Sequence, residues 1–289
     1  MRCATSPKAG SNRPRPEPAE YKVTSLLSYL IPLRHAGLIR QFASREIHSR
    51  YRQSWLGTLW VVLTPLLMLG VYTFVFRYVF AVRWGVTVES NLSFAVRLYA
   101  GLAVFNFFAE CVARAPRLVL DQPHLVKKVV FPLEVLPWVN SVAALFHLGI
   151  ACLMLLALAL WETGRIHLSI LALPLVWLPL IPLTVGLGWW LAAIGTFVRD
   201  IGQVVTMLVS LLLFLSPIFF PVEALPAAWQ GWALLNPLAQ VITETRHVLI
   251  DGLWPNWLAL ALNLCACMVV AVAGAAFFRT ARAGFADVV

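Results

Sequence analysis

Apolar residues in this chain are gathered into long blocks, and the blocks are separated by short clusters of Arg, Lys, Asp and Pro. Six blocks stand out, at residues 55–80, 98–113, 136–161, 168–197, 204–222 and 257–278. A helix rises about 1.5 Å per residue and a hydrocarbon core is about 30 Å thick, so each block predicts a spanning helix, with the second the shortest. The fourth is overlong and contains Pro174, Pro179 and Pro182, which predicts a tilt, a kink or an interfacial turn. Six crossings put both termini on one side. The expected fold is therefore all-α and polytopic, with a six-helix membrane domain over residues 55–280.

The entry to the first block sets the arrangement of the rest. Arg45, Arg50 and Arg52 come first, Trp55 and Trp60 follow, and apolar sequence then continues to Phe80. This is a cationic collar on a membrane surface, followed by an aromatic anchor at headgroup depth and a spanning helix. Just upstream, Leu38, Ile39, Phe42 and Ala43 recur at helical spacing while Arg34, Gln41 and Arg45 turn away. Residues 30–54 thus read as an amphipathic helix lying at the interface. Glu46 and Arg50 intrude on its apolar side, and their i, i+4 spacing suggests that they neutralise one another. Residues 1–29, with Pro7, Pro14, Pro16 and Pro18 and no apolar core of a signal peptide, read as a disordered cytoplasmic tail; residues 281–289 read as a second tail.

Composition supports this reading, since 61% of residues are hydrophobic, 12% are charged and the mean hydropathy is +0.81. That leaves too little polar surface for a water-soluble body. The net charge of +9 would suit nucleic acid in a soluble protein, but here the basic residues sit between apolar blocks and on the leading segment. Of the 22 lysines and arginines, 17 fall on the side of the N-terminal segment, the 114–132 loop, the 198–203 turn and the C-terminal tail. Positive charge stays inside, so that side is cytoplasmic, and the basic excess sets topology with no role for nucleic acid.

Between the fifth and sixth blocks, residues 223–255 are too apolar for a free loop and too interrupted to span. Trp229, Trp232, Val241 and Ile242 alternate with Asn236, Glu244, Arg246, His247 and Asp251, and Pro226 and Pro237 break any helix. A re-entrant or interfacial pair of short helices on the outer face satisfies both facts, with Asn236, Glu244 and Arg246 as its marked polar positions.

Signatures of reaction chemistry are few. The five cysteines form no C-x-x-C, the six histidines are scattered, and neither a phosphate-binding G-x-x-x-x-G-K-[ST] nor a nucleophile elbow occurs. No metal site and no cofactor are expected in this chain. Arg77, Glu110 and Glu134 lie near span ends, where long side chains can snorkel, and His147 reads as a satisfied helix-contact residue. Aromatic residues are better candidates for a path: Tyr72 and Phe76 share a face of the first span, and Phe105 begins an aromatic cluster in the second.

Five stretches together carry a resemblance. They are RYRQSWLGTLWVVLTPLL from Arg50, LVKKVVFPLEVLP from Leu125, GTFVRDIGQVV from Gly195, SPIFFPVEALP from Ser216, and LNPL from Leu235 with Arg246 and Gly252 beyond. In this order, over roughly residues 35–280, they resemble the membrane subunit of bacterial polysaccharide ABC exporters, the Wzm and teichoic-acid permease group of the type-2 ABC-transporter integral membrane family. Capsule permeases are close relatives of that group.

The resemblance implies a homodimer, each copy paired with a separate ATPase chain that binds ATP and Mg, moving a lipid-linked glycan across the inner membrane. It also implies coupling to the ATPase through Asp121, His124, Lys127 and Lys128, with Arg199 and Asp200 marking a second cytoplasmic turn. The residues themselves add that Leu118, Val119, Leu120, Leu125, Val126 and Val129 give the first of these loops an apolar side, as expected of a short helix set into a partner's groove. A type-2 permease for a small amphiphile would share this topology. A membrane-embedded enzyme would need polar catalytic groups converging at one interface, and the sequence has no such cluster.

Overall fold

A computed structural model describes residues 29–51, 57–80, 90–127 and 131–288. Arg52, Trp55 and Lys128 lie outside the described residues, as do the expected tail positions 1–28.

Every regular element among the described residues is helical. A 3-10 turn at Leu33–His35 leads into α1 (Ala36–Tyr51). Helix α2 (Trp60–Thr73) runs on into a π-helical turn, Phe74–Val79. Helix α3 (Asn91–Arg114) is followed by a 3-10 turn, Ala115–Arg117, and by the short α4 (Pro123–Lys127). Helix α5 (Leu136–Thr163) ends on Gly164, whose φ of 65° is the left-handed conformation that stops a helix at low cost.

The fourth apolar block is divided, as its prolines suggest. A 3-10 turn (Leu168–Ala172), α6 (Leu173–Trp177) and α7 (Leu180–Phe197) follow one another, with Pro179 at the N-terminus of α7. Then come α8 (Ile201–Leu215), α9 (Ala227–Leu235) and α10 (Pro237–Arg246), which ends in a π-helical turn at His247–Asp251. The chain closes with α11 (Trp257–Ala281) and α12 (Phe285–Val288).

Five helical stretches among the described residues are long and apolar enough to cross a membrane: Trp60–Val79, Asn91–Arg117, Leu133–Thr163, Leu168–Phe197 and Trp257–Gly284. Two blocks differ from their predicted extent. The second begins at Asn91, where Ser90 caps α3 by accepting from the Ser93 amide, and it tolerates Arg97 because Asp251 lies 2.9 Å away. The fifth is a 15-residue helix that stops at Leu215, seven residues short of the predicted end, because Pro217 and Pro221 cannot continue it.

Helix α3 is the centre of the bundle. Phe94, Leu98, Tyr99, Val104 and Phe108 are buried in one core with residues of α5, α8 and α10. A second core joins α1, α5, α7 and α11 around Trp189, and Tyr29 packs edge-on against that indole. The α7–α11 seam is made of small residues: a Cβ on Gly274 would lie 2.3 Å from the Gly186 oxygen, and one on Gly186 would lie 2.6 Å from the Ala271 Cα. In hydrocarbon, where no hydrophobic force drives helices together, such close approach supplies the packing energy.

Candidate functional site

At the end of the bundle that carries α1, the two turns singled out in the sequence come side by side. The 3-10 turn after α3 presses on the end of α7, where the Pro116 carbonyl occupies the space in which a Gly195 side chain would begin. Beyond it, Arg114, Arg117 and Asp121 face Gln203, Thr206 and Ser210 of α8 across a cleft of about 730 Å3. Asp121 and His124 are exposed, as are Arg199 and Asp200 at the α7–α8 turn, one helical turn from Gln203. Lys127 is the last residue of α4. The apolar side of this loop is directed elsewhere than expected: Val119 and Leu125 are buried in this chain's own core with Phe131, so they are not anchors for a partner. Its polar residues Arg117, Asp121 and His124 are the ones exposed.

The polar residues of α1 also have partners not expected from sequence. Glu46 pairs with Arg114, and Arg50 Nη1 donates to Glu110 Oε1 at 2.6 Å, so each joins α1 to α3 rather than neutralising the other. His147 Nδ1 on α5 donates to the same carboxylate at 2.9 Å. Glu110 is thus held inside the bundle and does not snorkel. Glu134 is held too: it is 4% exposed, accepts from Arg282 Nη1 at 2.7 Å, and its backbone carbonyl accepts a hydrogen bond from Trp189 Nε1. Arg45 remains exposed on α1.

Of the three aromatic path candidates, two are brought together. Phe76 stacks on Phe219 at 4.1 Å between centroids with planes 10° apart, and Tyr72 meets the same ring at 5.5 Å. Phe105 belongs to the same core but is 4% exposed, with its ring beside Phe108.

At the opposite end a buried arginine organises the segment after α8. Arg246 donates through Nε to the Arg97 carbonyl at 3.0 Å, through Nη1 to Pro217 at 2.7 Å and through Nη2 to Ile218 at 2.8 Å. These last two carbonyls belong to the irregular stretch where α8 has ended, and no helix serves them. Asn236 caps α10 by accepting from the Leu238 amide, and its Nδ2 donates to Ser216. Glu244 accepts from the Asn256 amide, while Ser169 and Trp177 bind the Val248 carbonyl and the Thr245 hydroxyl. Asn236, Glu244 and Arg246 therefore act as fasteners that hold residues 236–256 on the bundle.

A family model described as ABC-2 type transporter matches residues 37–250, from the start of α1 to the turn after α10. The chain belongs to the ABC-2 type transporter family. It is also 28% identical over 260 residues to the O-antigen export system permease protein RfbA of Myxococcus xanthus, an alignment covering 88% of this chain and 95% of that one. A Klebsiella pneumoniae protein of the same name is 23% identical, with 87% and 94% covered. The polysialic acid transport protein KpsM of Escherichia coli is 27% identical, with 82% and 90% covered.

Within this ABC-2 chain, sequence reasoning passed over the Arg50–Glu110–His147 cluster and the Arg246 clamp. One signal for each was present. Glu110 and His147 are ionisable groups inside apolar blocks, and such groups seek each other. Two prolines at the end of a span leave carbonyls without helical donors, which calls for a donor from elsewhere in the chain.

Proposed function

We propose that this chain is the permease subunit of an ATP-driven exporter that carries a lipid-linked polysaccharide across the bacterial inner membrane. The observation that carries the reading is the near full-length match to permeases named for O-antigen export and for polysialic acid transport. In this reading α8 serves as a sixth crossing, extended by the buried stretch 216–219, and the two termini lie in the cytoplasm. Two copies of the chain form the path. Each works with an ABC ATPase that binds ATP and Mg and docks on the exposed polar residues of the 117–127 loop and the 199–203 turn. Helix α1 rests on the inner leaflet, and residues 223–251 cover the outer end.

Deleting the gene in its native cell should leave lipid-linked glycan trapped on the cytoplasmic side, and re-expressing the chain with its ATPase should return the glycan to the surface. An ATPase variant unable to hydrolyse ATP should give no rescue. Normal surface glycan in the deletion strain, with new sensitivity to small amphiphiles, would overturn the reading in favour of a drug-type permease.

A further inference from the structure

The last turn of α1, the first turns of α2 and the facing sides of α3 and α5 border a half-open cavity of about 320 Å3, within the size range of small-molecule sites. Three aromatic residues, Trp60, Tyr99 and Phe107, form part of its wall. Its polar wall is Arg50, Asn106, Glu110 and His147.

Asn106 is the residue that calls for an occupant. It lies eight residues from the end of α3, which is about 12 Å along the helix and at the depth of hydrocarbon. It is exposed on a helix that is otherwise the most buried of the bundle, and its carboxamide has no hydrogen-bond partner among the described residues. An amide at that depth without a partner is costly, and such groups mark the places where polar cargo passes. Glu110 stands one turn away on the same face, but it is already neutralised by Arg50 at 2.6 Å and by His147.

The charge in the cavity selects against ions. A bound phosphate would confront the Glu110 carboxylate, and a bound ammonium would confront Arg50. A neutral ring with donors and acceptors around its edge suits the site instead: one C–H face lies on Trp60, the exposed aromatic of the wall, while its hydroxyls both give to and accept from the amide and the charged pair. We propose that this cavity is a docking site for a single uncharged pyranose ring. The proposal rests on the glycan-export reading and deepens it, because it places one sugar of the cargo at the α1 end of the bundle, beside the leaflet from which export begins.

The test uses the full chain with its ATPase in lipid nanodiscs and a diazirine-bearing octyl β-glucoside as photoprobe. Crosslinks are expected within residues 99–110 and 147–151. An excess of octyl β-glucoside should suppress them at least ten-fold, whereas a sugar-free octyl tetraethylene glycol ether or added phosphatidylglycerol should not. Asn106→Leu should lower the crosslinks to a similar degree while the complex still assembles, since no side-chain hydrogen bond is removed; the competition on the unaltered chain needs no variant at all. Crosslinks that fall elsewhere, that persist in Asn106→Leu, or that the ether or the lipid competes equally would overturn the site. Such a failure in a cell whose glycan export still requires this chain would leave the export reading standing. Selective crosslinking in a chain that glycan export does not need would support the site and overturn the export reading.

Discussion

Arg246 and Gly101 are fitted to one another: a Cβ on Gly101 would lie 2.7 Å from Arg246 Nη2 and 3.4 Å from the Ile218 Cα. The guanidinium can reach three carbonyls on two separate segments only because α3 presents no side chain at that point. Gly101→Ala should therefore displace the clamp and cost about 1–3 kcal/mol, as overpacking does. Arg246→Lys keeps the charge but replaces a planar fork with a point donor, so at least one buried carbonyl is left unpaired at about 1–3 kcal/mol. Both variants should unfold at lower temperature than the parent in detergent. Unchanged melting in both would show that the clamp does not hold the segment after α8.

The same segment should respond to pH through His247. Interaction with the Glu244 carboxylate, whose Oε2 lies 3.8 Å from Nδ1, raises the His247 pKa above its ordinary 6.5, with Asp251 and Glu223 adding to the effect and partial burial opposing it. A raised folded-state pKa means that this stabilisation is fully present below the unfolded value and is lost as pH climbs through the folded one. Amide exchange over residues 244–256, corrected for its intrinsic rate, should accordingly quicken as pH rises from 6 to 8.5. His247→Gln should flatten that dependence, and an equal pH response in the variant would assign it to another group.

The two ion pairs from α1 to α3 make a third expectation. Arg50 and Arg114 are each partly exposed, so each pair contributes about 1 kcal/mol or less. Breaking either one, by Glu110→Gln or Glu46→Gln, should raise amide exchange across residues 36–51 by no more than about five-fold and leave α7 and α11 unchanged. The reversal Glu46→Arg with Arg114→Glu should recover part of the protection lost in either single change. No recovery would mean that the apolar contacts of Ile39 and Ala43 alone seat the helix.

Coupling to the ATPase is best tested at Asp121. It is exposed beside Arg114 and Arg117 in the cleft facing α8, and the buried Val119 and Leu125 fix the loop beneath it. Asp121→Lys should therefore spare folding while reducing ATPase recovery on co-purification several-fold, with export falling in step. Full recovery and normal export would remove this loop from the docking surface.

The spans could be read from sequence because their cause is one-dimensional. Hydrocarbon accepts only backbone that satisfies its own hydrogen bonds, so long apolar blocks such as 136–161 and 257–278 become helices wherever their neighbours lie. The prolines of the fourth block and Pro237 act through their own missing N–H and fixed φ, so the division of that block and the break between α9 and α10 are legible in the sequence as well.

What tertiary structure alone decided is how the polar residues pair, because that depends on which helices meet. Glu46 and Arg50, one turn apart, have the spacing of a local pair, yet both turn to α3, which offers Arg114 and Glu110. Val119 and Leu125 form an apolar side that could have faced a partner, but the packing of Phe131 and α1 covers it. Phe105, aromatic like Phe76, is carried into the core by its position on the central helix. Sequence by itself determined that the chain crosses a membrane as helices and where most of them begin and end; long-range packing decided that α8 stops at Leu215 and that Arg246, carried in from another helix, supplies the donors its continuation would have provided.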